Sequence, residues 1–177
     1  MRIVALAGLP GTGKSALARA LALELRVPLF GKDELRRELF GPRASYTAEE
    51  NDAAARASYA AAGAALRAGA GTVILDGRTY TRRSQVEELR AFARELGAEL
   101  VVVECRCPDD VARARIERDR AFGAHLAPDR TVELHARLAR TAEPFDADVS
   151  FDTSLGPPES LAKALLGELR RRGDSPR

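Results

Sequence analysis

A chain of 177 residues that is 45% hydrophobic and 31% charged suits one globular domain with a substantial core. No stretch nears the about 20 apolar residues of a membrane span, and the apolar run after Arg2 ends at Gly8, too early for a signal peptide. The expected setting is cytoplasmic, without a membrane partner. A net charge of +2, 5% aromatic residues and no tryptophan argue against a long nucleic acid partner, whose binders need a basic face and stacking platforms. Oligomeric state leaves no signature.

Helical and strand signals then alternate, as in a parallel sheet wrapped by helices. Residues 3–7 are a short apolar run suited to a buried strand, and residues 16–26 carry leucines at 17, 21 and 25 on one helical face. Between them Gly8-Leu9-Pro10-Gly11-Thr12-Gly13-Lys14-Ser15 fits GxxxxGK(S/T) at every fixed position. Glycines let successive N–H groups point into one concavity, Lys14 adds a charge for terminal phosphates, and Ser15 offers a hydroxyl to Mg²⁺. Strand before and helix after are the context such a cradle needs.

Residues 27–30, broken by Pro28, predict a short second strand near the sheet edge. Polar residues just past a parallel strand project into the ligand crevice, and there stand Asp33 and Arg36, one helical turn apart. A carboxylate beside a phosphate cradle can take a proton from a hydroxyl, and the arginine can brace a moving phosphoryl group. A capped helix with solvated charges is the plainer alternative.

Thr47 to Glu50 has capping-box spacing, and residues 51–67 run without proline, which predicts a long helix ending by Gly69. Tyr46, Arg56 and Tyr59 read first as ordinary surface and core residues, second as pocket flanks. Residues 72–77 predict a strand closed by Asp76, which would hold Mg²⁺. Arg78, Thr79 and Tyr80 follow at the same sheet end as contact candidates. A helix over 82–96 and a strand over 99–105 come next, and Cys105 and Cys107 read as reduced thiols, since a CxC pair with two distant histidines cannot complete a zinc site. Pro108 opens a helix with Arg113, Arg115, Arg118 and Arg120, which could close over ATP; Arg118 and Arg120 are favoured to act. His125 and His135 are expected at the surface. A fifth strand over 148–153, a loop, a helix over 159–171 and a polar tail over 172–177 complete the chain.

Together these residues resemble the small stand-alone phosphate-loop kinases related to polynucleotide kinase, zeta toxin and chloramphenicol phosphotransferase. The likeness rests on Gly8 to Ser15, Asp33 and Arg36, Tyr46 opening a long helix, Val73-Ile74-Leu75-Asp76, the arginine segment, and Asp152-Thr153-Ser154. It implies an α/β P-loop NTPase fold over residues 1–171, with a five-stranded parallel sheet of order 2-3-1-4-5 and an arginine lid over about 108–130. It also implies Asp33 as general base, Arg36 on the transferred phosphate, Arg118 or Arg120 as the lid arginine, and the loop from Ser154 to Pro157 near the adenine. Gly77-Arg78 departs from many relatives, which carry a small residue and then Thr, Asn or Phe. The expected function is an ATP and Mg²⁺ dependent kinase acting on a hydroxyl of an unidentified acceptor. The alternatives are a polynucleotide 5′-hydroxyl kinase, a nucleoside or nucleotide kinase, and a non-catalytic ATP-binding module.

Overall fold

The apolar runs become strands and the leucine-spaced runs helices, in the order β1 (Arg2–Ala7), α1 (Lys14–Leu25), β2 (Leu29–Gly31), α2 (Lys32–Phe40), α3 (Ala48–Arg67), β3 (Thr72–Asp76), α4 (Arg83–Glu95), β4 (Glu99–Arg106), α5 (Asp109–Ala121), α6 (Val132–Thr141), β5 (Val149–Asp152) and α7 (Pro158–Asp174). The structure is a computed structural model that describes residues 1–41, 44–123 and 129–174. All strand pairs are parallel, in the order β2-β3-β1-β4-β5, as expected. Ile3 to Ala7 of the central strand are wholly buried, which explains a run of apolar residues without alternation.

The period of two along each strand divides the core between the two faces of the sheet. Ile3, Ala5, Val73, Leu75 and Val102 meet Tyr59, Ala62 and Leu66 of α3 and Val86 and Leu89 of α4. Val4, Leu6, Ile74, Val101 and Val103 meet Leu17 and Leu21 of α1 and Leu165 and Leu169 of α7. A slip of one residue in any central strand would exchange these two sets.

Several boundaries differ from expectation for local reasons. Strand β2 begins at Leu29 rather than at 27, because Pro28 has no N–H to give; its carbonyl accepts from Ile74 N at 2.9 Å and pairing starts one residue later. Helix α1 begins at Lys14, directly after Gly13, which holds φ 79°. Helix α6, absent from the sequence expectation, is capped by Thr131, whose hydroxyl accepts from Leu134 N at 3.1 Å. Helix α7 runs on to Asp174, so part of the expected tail is helical; the Arg172 guanidinium donates to the Asp148 carbonyl. Residues 175–177 lie outside the described residues.

Leu165 is fully buried between α7 and α1. Leu165→Ala should lower stability by about 2–5 kcal/mol, read as a lower urea midpoint at unchanged slope. A loss under about 1 kcal/mol would contradict this packing.

Candidate active site

The loop of residues 8–13 leaves the central strand and enters α1 at Lys14. Its N–H groups can line a concavity only if the neighbouring carbonyls turn outward and find donors. Four of them do. The Leu9 carbonyl accepts from Thr12 Oγ1 at 2.8 Å and Lys14 Nζ at 3.1 Å, and the Thr12 carbonyl accepts from Thr153 Oγ1 at 2.8 Å. The Gly11 carbonyl takes Arg115 at 3.5 Å, and Arg115 also donates to Thr153 O at 2.8 Å. The Pro10 carbonyl lies 2.7 Å from His135 Nδ1; a carbonyl only accepts, so Nδ1 carries the proton. Gly11 has φ 84°, and a Cβ there would stand 2.5 Å from the Ala112 carbonyl, so only glycine lets the loop lie flush on α5.

His135 is a correction. It was expected at the surface, yet it is 4% exposed, because its ring is wedged between the loop and Asp109, with Nε2 2.9 Å from Oδ1. A histidine far from any motif leaves no sequence sign of this role. His125 lies outside the described residues.

Parallel pairing sets Gly31 beside Asp76, so α2 starts where β3 stops. Gly77 permits the approach: it holds φ 92°, and a Cβ would meet Lys32 Cβ at 3.0 Å and Lys32 N at 3.1 Å. Asp33 and Arg36 thereby face one cavity. Asp33 Oδ1 lies 3.0 Å from Lys32 Nζ and 3.0 Å from the Arg36 guanidinium. Asn51 of α3 fastens this cluster: its Oδ1 accepts from Lys32 Nζ at 2.8 Å and from Arg36, while its amide donates to the Tyr46 and Thr47 carbonyls at 3.1 and 2.8 Å. The Tyr46 ring lies 4.6 Å from the Arg36 guanidinium. Arg36 itself is only 2% exposed.

This cavity, of about 300 Å³, has Lys14 and Ser15 on its loop side and Asp33, Arg36, Tyr46 and Asn51 on its α2 and α3 side. A second, of about 400 Å³, lies across the loop and is lined by Gly13, Arg118, Gly156 and Pro158. Ser15 and Arg130 border both. Arg130, which the sequence did not single out, stands beyond the expected helix; its guanidinium is 3.6 Å from Asp119, and its buried Nε has no hydrogen-bond partner among the described residues. Arg118 is exposed on the second cavity, Arg120 is exposed and lines neither, and residues 124–128 of the expected lid lie outside the described residues.

The remaining candidates separate. Arg78 and Thr79 line the first cavity, but Arg78 is already engaged by Asp52 and Glu88 at 2.7 Å each and Tyr59 Oη at 2.9 Å. Tyr80 is buried in the core with its hydroxyl 3.2 Å from that of Tyr59, and Arg56 is exposed. Cys105 and Cys107 are free thiols, and burial pushes Cys105 up to about 12. Asp76 Oδ1 is buried with no hydrogen-bond partner among the described residues, and its charge acts on Lys14. An unclaimed carboxylate oxygen beside a loop bearing the Ser15 hydroxyl fits the oxygen donors that Mg²⁺ takes.

With this geometry, residues 3–144 match the family described as AAA domain. The chain belongs to that family. No curated protein matches it. Among solved structures, this AAA domain is similar to a protein of Chloroflexus aurantiacus J-10-fl assigned as a kinase, at 22% identity and TM-score 0.75, covering 94% of this chain and 97% of that one. It is similar to the Mycobacterium tuberculosis APS kinase in complex with AMPPNP and APS, at 18% identity and TM-score 0.69, covering 96% and 97%. Shikimate kinase from Acinetobacter baumannii, in complex with shikimate, is 19% identical at TM-score 0.63, covering 99% and 96%. At these identities the likeness is one of fold, and the fold is that of P-loop NTPases. Among the described residues no helix is long and apolar enough to cross a membrane.

Lys14 is 7% exposed, and burial lowers its pKa from 10.5 to about 8, with Asp76 opposing the shift. The unfolded chain keeps this proton up to 10.5, so Lys14 costs stability in full below about pH 8 and the cost fades as pH rises between those values. A phosphate bound at Lys14 restores the proton. Nucleotide binding should therefore take up protons just above pH 8, and affinity should fall as pH rises past that value. Calorimetry in buffers of different ionisation enthalpy checks this; no net proton uptake would place Lys14 away from the phosphates.

Proposed function

We propose that this AAA domain is an ATP-dependent kinase that moves the γ-phosphoryl group onto a hydroxyl of a small-molecule acceptor. The observation that carries the reading is that Lys14 and Asp33 line one cavity, the first from the phosphate cradle and the second from the start of α2. Its volume of about 300 Å³ is in the range of small-ligand sites, which favours a small acceptor over a polynucleotide. The likeness in fold to kinases supports the same reading, as does the resemblance of the sequence motifs to those of the polynucleotide kinase, zeta toxin and chloramphenicol phosphotransferase group.

In this reading the adenosine end of ATP occupies the cavity edged by Gly156 and Pro158, and the phosphates cross the loop at Ser15 into the cavity of Asp33. Ser15 and Asp76 would hold Mg²⁺, which supplies charge neutralisation on the phosphate oxygens. Asp33 accepts the proton of the acceptor hydroxyl as that oxygen bonds to the γ-phosphorus. The bond from phosphorus to the bridging oxygen breaks, and ADP leaves with the bridging electrons. Arg36 and Lys32, held by Asn51, orient the Asp33 carboxylate and brace the phosphoryl oxygens. Arg130, on the wall common to both cavities, stands where the transferring group passes and takes the part that sequence alone gave to Arg118 or Arg120. Alignment and charge, more than covalent chemistry, supply the rate.

Asp33→Asn should leave ATP affinity nearly unchanged by calorimetry and reduce coupled ADP release by about 10²–10⁴-fold, the span of a lost general base. Undiminished turnover in that variant would refute the assignment. Arg130→Ala should cost roughly 10³-fold or more in turnover, the scale of a transition-state arginine, with Arg120→Ala staying close to the parent enzyme. Equal losses in the two variants would return the role to α5.

A further inference from the structure

We infer that the acceptor carries an anionic group besides its reacting hydroxyl, and that Arg82 and Arg137 receive it; this rests on the kinase reading for the word acceptor alone. The acceptor side of the cavity wall holds more positive than negative charge. Two of its three carboxylates are paired with cations of the chain. Asp33 lies 3.0 Å from both Lys32 and Arg36, and Asp52 lies 2.7 Å from Arg78. The third, Asp129, has its pKa raised by burial, and the charges of Lys32 and Arg36 oppose that shift.

Two arginines on the same wall keep donors to spare. Arg82, just before α4, reaches Asp52 only at 3.8 Å, and its side chain is 52% exposed. Arg137 of α6 is exposed and forms no ion pair among the described residues. The segments that carry them are joined by a staple between the end of α6 and the start of α4. Glu143 N donates to the Thr81 carbonyl at 2.9 Å, and Glu143 Oε2 accepts from Arg83 N at 2.7 Å. Arg82 lies between Thr81 and Arg83, and Arg137 is one helical turn before Thr141, so the staple ties together the two stretches from which these arginines line the cavity. Deeper in, Arg36 is 2% exposed and its buried Nε has no hydrogen-bond partner among the described residues.

A neutral alcohol entering here would strip water from these guanidinium groups and give no charge in return. A cationic one would meet Asp33 and Asp52, which already serve Lys32, Arg36 and Arg78, and a surplus of positive charge. A carboxylate, sulfate or phosphate monoester presents two oxygens to the guanidinium fork, and Leu134 and Leu138 line the same wall as Arg137.

Titration of the protein saturated with Mg²⁺ and ADP tests the site without turnover. Inorganic sulfate at constant ionic strength should bind saturably by calorimetry, and Arg82→Ala/Arg137→Ala should weaken it about tenfold or more, while both Arg→Lys changes keep part of the affinity. Absence of saturable binding, or binding unchanged in the alanine variant, overturns the inference. In a coupled ADP-release screen, sugar phosphates are set against their parent sugars and hydroxy acids against their amides. Turnover should follow the anionic member of each pair, and turnover confined to neutral or cationic alcohols overturns the inference too. Sulfate binding that depends on the two arginines, with no phosphoryl transfer to any alcohol, supports the anion site and sinks the kinase reading instead.

Discussion

The site depends on a backbone turned inside out. For the loop between β1 and α1 to present N–H groups to an anion, its carbonyls have to face the protein, and a carbonyl facing the protein without a donor costs about as much as a lost hydrogen bond. Side chains from four separate stretches meet that need: Thr12 of the loop and Lys14 directly after it, His135 from α6, Arg115 from α5 and Thr153 just past β5. The curvature is thus imposed from outside. Glycines make it sterically possible, and the ring of donors makes it the lowest state.

The opposing wall is built on a comparable economy of space. Strand pairing brings the start of α2 against the end of β3, and the missing side chain at Gly77 lets Lys32 and Asp33 close in. Asn51 then uses both ends of its amide, the oxygen for two cations and the nitrogen for two carbonyls before α3. A single uncharged side chain sets the height at which Lys32 and Arg36 meet Asp33. Its position four residues after Thr47 puts it on the inward face of the first turn, and that face is fixed by the Thr47 cap, whose hydroxyl accepts from Glu50 N at 3.3 Å.

Much of this is legible in the sequence where function is written locally. The loop motif, the strand ending in Asp76, and the i,i+3 pair Asp33 and Arg36 are short, and each residue type is dictated by one chemical need; the sheet order is what the family resemblance implies. The roles of His135, Asn51 and Arg130 are not legible, because they depend on where distant elements come to rest. A lone histidine on an amphipathic helix has the same pattern whether it faces water or a carbonyl 125 positions away. Arginines on α5 drew attention by their number, yet α5 turns Ala112 and Ile116 inward, and of the four only Arg115 reaches the loop. Helix α6 leaves little sign in the sequence for a related reason: its Thr131 cap is one small polar residue among several.

Ser15 and Arg130 belong to the walls of both chambers. A ligand that moves either side chain in one chamber changes the wall of the other, and any coupling that results is mutual: if occupancy on the Asp33 side tightens or loosens the hold on the far side, the reverse effect has the same factor. A side chain on a common partition answers to two occupants, so a change at either residue is a change to both compartments.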